Sequence, residues 1–198
     1  MFAGRRILAV VPARGGSKGI KLKNLIKVGG VPLVQRVSMI IKNVPEIDRA
    51  VVSTDHEDIA RIAEASGLPA PFRRPDTLAG DRIADWDVLH HALLDMEQRD
   101  QVTYDIIVML QPTSPSRIAD DVQRTIKTLV EGDFDSVWTV SETDSKGHPL
   151  KQLVISDTGM LDYYDPEGAK IIARQQLKPV YHRNGIAYAI TRDCLINK

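Results

Sequence analysis

The chain has 198 residues, 43% hydrophobic and 26% charged, and its formal net charge is zero because 26 basic residues balance 26 acidic ones. This length and balance are typical of one soluble α/β domain, and the zero net charge creates no overall field that would favour nucleic acid or a membrane surface. No apolar run approaches the roughly 20 residues of a membrane span, and the single cysteine, Cys194, excludes an internal disulfide, so we expect a cytoplasmic protein.

Short apolar runs alternate with helix-like stretches along the first 140 residues. The runs have the length of strands that are buried on both faces of a parallel sheet, and they lie at 7–11, 50–54, 106–110 and 136–140. Four stretches place apolar side chains at helical spacing, beginning at Pro32, near Ile59, at Asp85 (which can cap its helix) and at Ile118. This alternation predicts an α/β fold with an open, mostly parallel sheet, flanking helices and right-handed crossovers.

The pattern changes after Val140. Residues 141–147 are polar and loop-like, and strands are expected at 150–155, 160–164 and 186–191. We interpret 141–183 as an excursion from the core sheet and as a candidate dimer contact.

The loop after the first strand, residues 12–24, is the most informative stretch of the sequence. Its glycines, at positions 15, 16 and 19, allow turns that bring backbone N–H groups close to phosphate oxygens. Its cations have no acid between them and are Arg14, Lys18, Lys21 and Lys23. Such a cluster would neutralise the roughly four negative charges of a triphosphate. The spacing fits neither G-x-x-x-x-G-K-S/T nor G-x-G-x-x-G, which argues against generic ATPase and dinucleotide loops, and a solvated surface turn is the plain structural alternative.

Further segments extend this pattern over nearly the whole chain and match one family in order. They are Ala13-Arg14-Gly15-Gly16-Ser17-Lys18-Gly19 with Lys23-Asn24, Val52-Ser53-Thr54-Asp55, Arg74-Pro75, Leu78-Ala79 with Asp81, Asp87-Val88, His91-Ala92-Leu93, Gln111-Pro112-Thr113-Ser114-Pro115 with Arg117, Phe134-Asp135-Ser136-Val137, His148-Pro149 with Lys151, Arg174-Gln175, and Asn184-Gly185 with Tyr188. In this combination the chain resembles the acylneuraminate cytidylyltransferases, also called CMP-sialic acid synthetases. The resemblance implies one cytidylyltransferase domain over 1–198, with a Rossmann-like sheet of the nucleotide-diphospho-sugar transferase type and a small dimerisation subdomain.

The implied reaction transfers CMP from CTP to a nine-carbon 2-keto acidic sugar, a sialic acid or related nonulosonic acid, and releases pyrophosphate with the help of Mg²⁺. Catalysis of such a transfer depends on positioning and on stabilising charge at the phosphoryl oxygens. By resemblance, Lys23 lies at the α-phosphate as the main transition-state cation, and Arg14 and Lys18 contact the β- and γ-phosphates. The other nucleotide-binding residues that this loop implies are Gly16, Ser17 and Asn24, although Asn24 could instead cap a helix.

The resemblance assigns recognition of cytosine to Arg74 and to the backbone near Ala84. Family members often carry Ser or Thr where this chain has Asp85, so a hydroxyl contact to the base is not available here. The alternative role for Arg74 is a surface salt bridge. Asp81 could contact the ligand, or it could fix its own loop.

The acidic sugar is expected to contact residues from two subunits of a homodimer. Gln111 follows a predicted buried strand and can both donate to and accept from sugar hydroxyls, unless it only fixes its loop. By resemblance, Asn184 and Tyr188 line the same pocket, although Tyr188 could equally belong to the core. Lys151 and Arg174 are implied to meet the sugar carboxylate from the partner subunit.

The metal ligands are not assigned. In the family, an Asp-x-Asp pair that binds magnesium follows the Asn-Gly-x-x-Tyr strand, and 1–198 contains no match to that stretch. Asp55 and Asp81 are possible substitutes. Two other functions remain open from the sequence: a non-catalytic CTP-binding paralogue, and a nucleotidyltransferase for another sugar or another nucleotide.

Overall fold

Five strands form the central sheet of the computed structural model, which describes residues 1–197. Counting those outside this sheet, the strands along the chain are β1 (Ile7–Pro12), β2 (Lys27–Val28), β3 (Val31–Pro32), β4 (Arg49–Ser53), β5 (Ile106–Met109), β6 (Ser136–Glu142), β7 (Leu153–Ile155), β8 (Leu161–Tyr163) and β9 (Tyr181–Thr191). The helices are α1 (Leu33–Ile41), α2 (Glu57–Ala65), α3 (Asp85–Asp100), α4 (Ala119–Glu131) and α5 (Arg192–Asn197). The central sheet has the order β4-β1-β5-β9-β6, while β2 pairs with β3 and β7 with β8.

The central sheet is mostly parallel, as predicted. β1 runs parallel to both β4 and β5, whereas β9 runs antiparallel to β5. The fold class predicted from the alternation of strands and helices is confirmed, and each of the four predicted core strands is present.

Strand β1 is buried on both faces, which explains why its sequence is a continuous apolar run rather than an alternating one. Ile7, Ala9 and Val11 pack into a cluster with α1, α2 and α4, while Leu8 and Val10 pack into a second cluster with α3 and α5. All five side chains are fully buried. Because successive side chains point to opposite faces of a strand, a sheet covered by helices on both faces requires an apolar residue at every position.

The predicted cap of α3 is wrong by one residue. Ala84 occupies the N-cap with extended backbone angles and no side-chain cap, and Asp85 is the first helical residue. The Asp85 carboxylate accepts a hydrogen bond from Gln111 instead of from the backbone of the helix.

The parallel arrangement brings three loops to one edge of the sheet. β1, β4 and β5 all end at this edge, so the loops that follow them, starting at Ala13, Thr54 and Leu110, emerge side by side. Ligands of open α/β sheets bind beyond the carboxyl ends of parallel strands.

The chain divides into two compact units. The first comprises residues 1–139 together with those from Gly185 onward, and the second comprises Val140–Asn184. The predicted excursion, 141–183, falls within the second unit, and its role as a dimer contact stays a prediction.

The second unit contains the β7–β8 hairpin and three short 3-10 helices, Pro149–Lys151, Pro166–Lys170 and Arg174–Gln176. Every residue of β7 and β8 is exposed, including the apolar Leu153, Ile155 and Leu161. Within the described residues, no helix is both long enough and apolar enough to cross a membrane.

Candidate functional site

A cavity of about 750 Å³ opens in the first unit at the carboxyl edge of β1 and β5. Its volume is within the roughly 300–1,000 Å³ that is usual for ligand pockets. Seven of the sequence-predicted site residues line it: Arg14, Ser17, Lys18, Lys23, Asn24, Arg74 and Gln111. The loop of residues 12–24 is therefore the wall of a cavity and not simply a solvated surface turn.

One part of the cavity lining is cationic. Arg14, Lys18 and Lys23 face it, whereas Lys21, the fourth cation of the loop, is not part of its lining. Arg14 Nη1 lies 2.8 Å from Asp81 Oδ1, and Lys18 forms an ion pair with the other oxygen of the same carboxylate. The hydrogen bond from Lys18, together with the positive charges of Lys18 and Arg14, lowers the pKa of Asp81, so this carboxyl group is ionised at neutral pH.

Backbone contacts hold the cationic loop in place. The Gly15 N–H donates to Asp55 Oδ1 over 2.8 Å, and Asn24 Nδ2 donates to the Arg14 carbonyl over 3.0 Å. A side chain at Gly15 would come within 2.7 Å of the His56 ring, so glycine is required there by space. Asn24 thus bridges to the backbone of the loop, and the Gly15 N–H is committed to Asp55.

The turn into Lys23 uses a residue that the glycine pattern did not identify. Leu22 has φ 48° and ψ 42°, a left-handed conformation, and the 3-10 helix Lys23–Leu25 starts directly after it. Non-glycine residues adopt this conformation at a cost, and such positions concentrate at functional sites.

Another part of the cavity lining is apolar and includes one buried cation. Leu78, Ile83 and Val88 contribute the apolar lining. Arg74 is only 3% exposed, and it donates from Nε to Ser53 Oγ over 3.0 Å and from Nη2 to the Ser53 carbonyl. Burial lowers the pKa of Arg74, while the charges of Asp55 and Asp85 oppose this shift.

Arg74 does not form the surface salt bridge that was its plain alternative. The side chain is buried, and it makes no ion pair with any residue in the described part of the chain. A buried guanidinium at the wall of a cavity is a donor that a ligand with acceptor atoms can use.

Asp85 and Gln111 contact each other in the cavity lining. Gln111 Nε2 donates to Asp85 Oδ2 over 3.3 Å, and both residues line the cavity. Gly185, with φ +73°, lies so close that a Cβ there would be 3.0 Å from Gln111 Oε1. The amide of Gln111 is therefore placed between the first residue of α3 and the backbone of β9.

Arg117 fixes the loop that carries Gln111. It donates to the carbonyls of Gln111 (2.6 Å), Ile186 (2.5 Å) and Gly185 (3.1 Å), and it is 4% exposed. Burial lowers its pKa to about 10, so Arg117 is charged at neutral pH. Three backbone carbonyls thus take the place of a carboxylate partner.

The remaining predicted residues lie elsewhere. Gly16 and Ala84 are next to lining residues but are not part of the lining, and Tyr188 is half-buried, accepting from the Gly185 N–H over 2.8 Å. Asn184 donates to Ser141 Oγ over 3.1 Å within the second unit. Lys151 and Arg174, also in the second unit, lie in two of its 3-10 helices.

Sequence reasoning missed the apolar part of the cavity lining. Leu78 and Val88 were noticed only as parts of matching segments, and Ile83 was not singled out. The signal that could have identified them is their position: all three lie on the stretch between Arg74 and the first turns of α3, beside a residue already assigned to a base.

The predicted metal substitutes do not fit a magnesium ion. Within the described residues there is no group of three or more side chains that could hold a metal. Asp55 Oδ1 accepts a hydrogen bond from the Gly15 N–H, and both oxygens of Asp81 are paired with cations, so the two carboxylates are not arranged as a set of magnesium ligands. No chemical step is therefore derived through a metal.

Comparisons with known proteins agree with this architecture. A family model described as cytidylyltransferase matches residues 8–196. A solved structure of CMP:2-keto-3-deoxy-manno-octonic acid synthetase complexed with CTP has the same fold, with a TM-score of 0.71 at 21% identity, over 97% of this chain and 76% of that one.

Two bacterial relatives are similar along almost the whole chain. The CMP-N,N'-diacetyllegionaminic acid synthase of Legionella pneumophila is 32% identical over 96% of this chain and 80% of its own length. An N-acylneuraminate cytidylyltransferase of Streptococcus agalactiae is 29% identical over 96% of this chain, which spans only 45% of that protein.

Proposed function

Because the chain belongs to the cytidylyltransferase family, we propose that it transfers CMP from CTP to a nine-carbon 2-keto acidic sugar of the nonulosonic type and releases pyrophosphate. The single observation that supports this most is the cavity itself, whose lining combines the cations of the loop of residues 12–24 with apolar side chains and the buried Arg74. The finer substrate class is supported by two relatives, whose names specify legionaminic and acylneuraminic substrates.

The triphosphate would lie beside the cationic part of the lining. Arg14, Lys18 and Lys23 bring three positive charges to one side of the cavity, and Ser17 adds a hydroxyl. Charge-assisted hydrogen bonds to phosphate oxygens are among the strongest in proteins. Arg14 and Lys18 would leave Asp81 for the β- and γ-phosphates, since a triphosphate offers more negative charge than one carboxylate.

Lys23 would act at the reacting phosphorus. The hydroxyl at the anomeric carbon of the sugar attacks the α-phosphorus, its oxygen forms the new P–O bond, and the bond to the β-phosphate oxygen breaks so that pyrophosphate leaves. Negative charge increases on the α-phosphoryl oxygens during this step. Lys23 borders the cavity without an ion pair to any described residue, so its ammonium group is available to stabilise that charge.

The cytosine would lie against the apolar part of the lining. Leu78, Ile83 and Val88 can pack against the faces of a pyrimidine ring, and the buried Arg74 can donate to its acceptor atoms. The backbone of Ala84, which lies between the lining residues Ile83 and Asp85, would supply a second contact to the base.

The acidic sugar would enter beside Gln111, whose amide can bind hydroxyl groups. We propose that Lys151 and Arg174 of a partner subunit meet the sugar carboxylate, and that Asn184 and Tyr188 support the sugar site. This assigns the second unit to a homodimer, in which each active site is completed by two chains. Mg²⁺ stays a prediction of the family resemblance.

The direct test is pyrophosphate release from CTP, UTP, GTP and ATP with a panel of nonulosonic acids and with the eight-carbon 3-deoxy-manno-octulosonic acid, each with Mg²⁺ and with a chelator. We expect release that requires a nine-carbon acid and is fastest with CTP. Preference for the eight-carbon acid would correct the substrate class. CTP binding without release under any condition would favour a non-catalytic paralogue, and preference for another nucleotide would contradict the cytidylyl assignment.

A further inference from the structure

Asp85 is a charged residue in the cavity that the proposed reaction leaves without a role. It is the first residue of α3, directly after Ala84, and it lines the cavity together with Arg74 and Val88. Its side chain caps no backbone N–H at the start of the helix. A carboxylate at this place therefore needs another explanation than helix capping.

We propose that Asp85 selects CTP over UTP by accepting a hydrogen bond from the exocyclic amine of cytosine. This inference rests on the proposed function, because it assumes that the pyrimidine lies against the apolar part of the cavity lining. It assigns specificity to a side chain, in addition to the guanidinium of Arg74.

The hydrogen-bonding edges of the two pyrimidines make such a selection possible. Cytosine presents an amine donor beside acceptor atoms at N3 and O2, whereas uracil presents a carbonyl acceptor beside an N–H donor. An ionised carboxylate only accepts and a guanidinium only donates. An Asp at the amine and an Arg at N3 or O2 therefore complement cytosine. With uracil, the Asp would face a carbonyl oxygen, and an Arg at N3 would face an N–H.

The structure brings the two required side chains into the same space. Arg74 lies in the cavity lining with Nε and Nη2 bonded to Ser53, and its Nη1 donates to no residue that the structure describes. The charge of Asp85 acts on Arg74 and raises its pKa against the effect of burial, which indicates that the two groups are close. Asp85 thus complements Arg74 without forming a salt bridge with it.

Asp85 retains acceptor capacity in the unliganded protein. One oxygen, Oδ2, takes a long hydrogen bond of 3.3 Å from Gln111, and the other has no hydrogen-bond partner within the described residues. A carboxylate can accept several hydrogen bonds, so an amine can be bound while Gln111 stays in contact.

Calorimetry with CTP and UTP on the intact protein tests the proposal, because binding can be measured whether or not turnover occurs. The variants are Asp85→Asn, whose amide can turn to suit either base, and Asp85→Ala, which removes the acceptor. We expect wild type to bind CTP more tightly than UTP, and both variants to lower that ratio by roughly tenfold, the discrimination usual for a good base contact.

Asp87→Asn is the matched control. Asp87 lies in the same first turn of α3 and carries the same charge, but it faces a different surface groove, with His90 and His91. It should leave the CTP-to-UTP ratio unchanged, and equal melting temperatures would show that all variants are folded.

Three results would overturn the proposal. A ratio that is unchanged in both Asp85 variants would do so directly, and an equal loss in the Asp87→Asn control would attribute the effect to helix charge. An unchanged ratio with a raised KM for the sugar alone would place Asp85 on the sugar side, through Gln111. A wild type that binds CTP selectively but releases no pyrophosphate would count against the proposed function while leaving this inference intact.

Discussion

The three cations of the loop of residues 12–24 that line the cavity are not equivalent. Arg14 and Lys18 share Asp81, a carboxylate on the loop that precedes α3, whereas Lys23 makes no ion pair with any described residue. Binding of the triphosphate therefore requires an exchange of partners at Arg14 and Lys18 and no exchange at Lys23. In the proposed reaction, this difference would separate the residues that bind the triphosphate from Lys23, which would act on the reacting phosphate.

Replacing Lys23 with alanine should lower turnover by about 10²-fold or more, as loss of other contacts to transition-state charge does. CTP affinity should change far less, because Arg14 and Lys18 remain to bind the triphosphate. Turnover is measured by pyrophosphate release and affinity by calorimetry. Lys21→Ala is the control, since Lys21 belongs to the same loop but not to the lining. Near-normal turnover of Lys23→Ala would remove its catalytic role.

Replacing Asp81 with asparagine should tighten CTP binding by a few-fold, because it removes the carboxylate that competes with the triphosphate. The effect should be small, because exposed ion pairs are screened by solvent and are weak. Calorimetry at low salt would measure it, and Asp76→Asn, on an exposed residue outside the cavity lining, is the control. Weaker CTP binding would mean that Asp81 positions the two cations and does not compete with the ligand.

At the scale of elements, the site depends on how loops are fixed at the carboxyl edge of the sheet. The loop after β5 is held against β9 by one buried guanidinium, that of Arg117, through three carbonyl oxygens. The position of Gln111 is therefore set by an interaction between two strands that are far apart in the sequence.

Replacing Arg117 with lysine should destabilise the protein, since an ammonium group cannot reach three carbonyls with the geometry of a guanidinium. We expect a loss of about 2–4 kcal/mol in the free energy of unfolding, the range for broken contacts to a buried charge. Urea denaturation measures it, with the exposed Arg124→Lys on α4 as control. A change under about 0.5 kcal/mol, typical of surface sites, would show that the loop does not need this contact.

The elements themselves were predictable where one physical rule governs the sequence. The apolar run of β1 indicated a strand buried on both faces, and both faces are covered. The start of α3 was placed one residue late because an Asp before an apolar helical pattern usually caps it, while here the carboxylate contacts Gln111. Sequence spacing gives no sign of such a contact between distant residues.

The left-handed residue of the phosphate loop illustrates the same limit. Glycine spacing indicated a tightly turned loop, yet Gly15 is required by its contact with His56, and the left-handed conformation belongs to Leu22. The burial of Arg74 was also hidden, because its partner, Ser53, comes from a strand earlier in the chain. Chemistry-bearing residue types were therefore predictable, and their contacts were not.

At the scale of the whole molecule, the second unit leaves a concentrated set of apolar side chains exposed. Ile155 is 73% exposed, Leu161 64% and Ile172 93%. Exposed apolar clusters of this kind are typical of surfaces that bind another protein. We propose that a second copy of the chain binds this surface.

Introducing Ile155→Lys together with Leu161→Lys, which pair across the β7–β8 hairpin, should convert a dimer into a monomer. Sugar-dependent turnover should fall with it, since Lys151 and Arg174 would no longer reach the neighbouring site, while CTP binding in the first unit should persist. Analytical ultracentrifugation and calorimetry measure these outcomes. Met39→Lys, an exposed apolar position on α1, is the control. A monomeric wild type with full activity would contradict the shared site.

The central claim is that one cavity in the first unit binds CTP along its length, and a crystal structure of the protein with CTP tests it most directly. We expect the triphosphate to lie against Arg14, Lys18 and Lys23, with Asp81 released from its two cations. The cytosine should lie between Arg74 and the first turn of α3. A nucleotide bound outside this cavity, or one bound in it with its base against the lysines, would contradict the account.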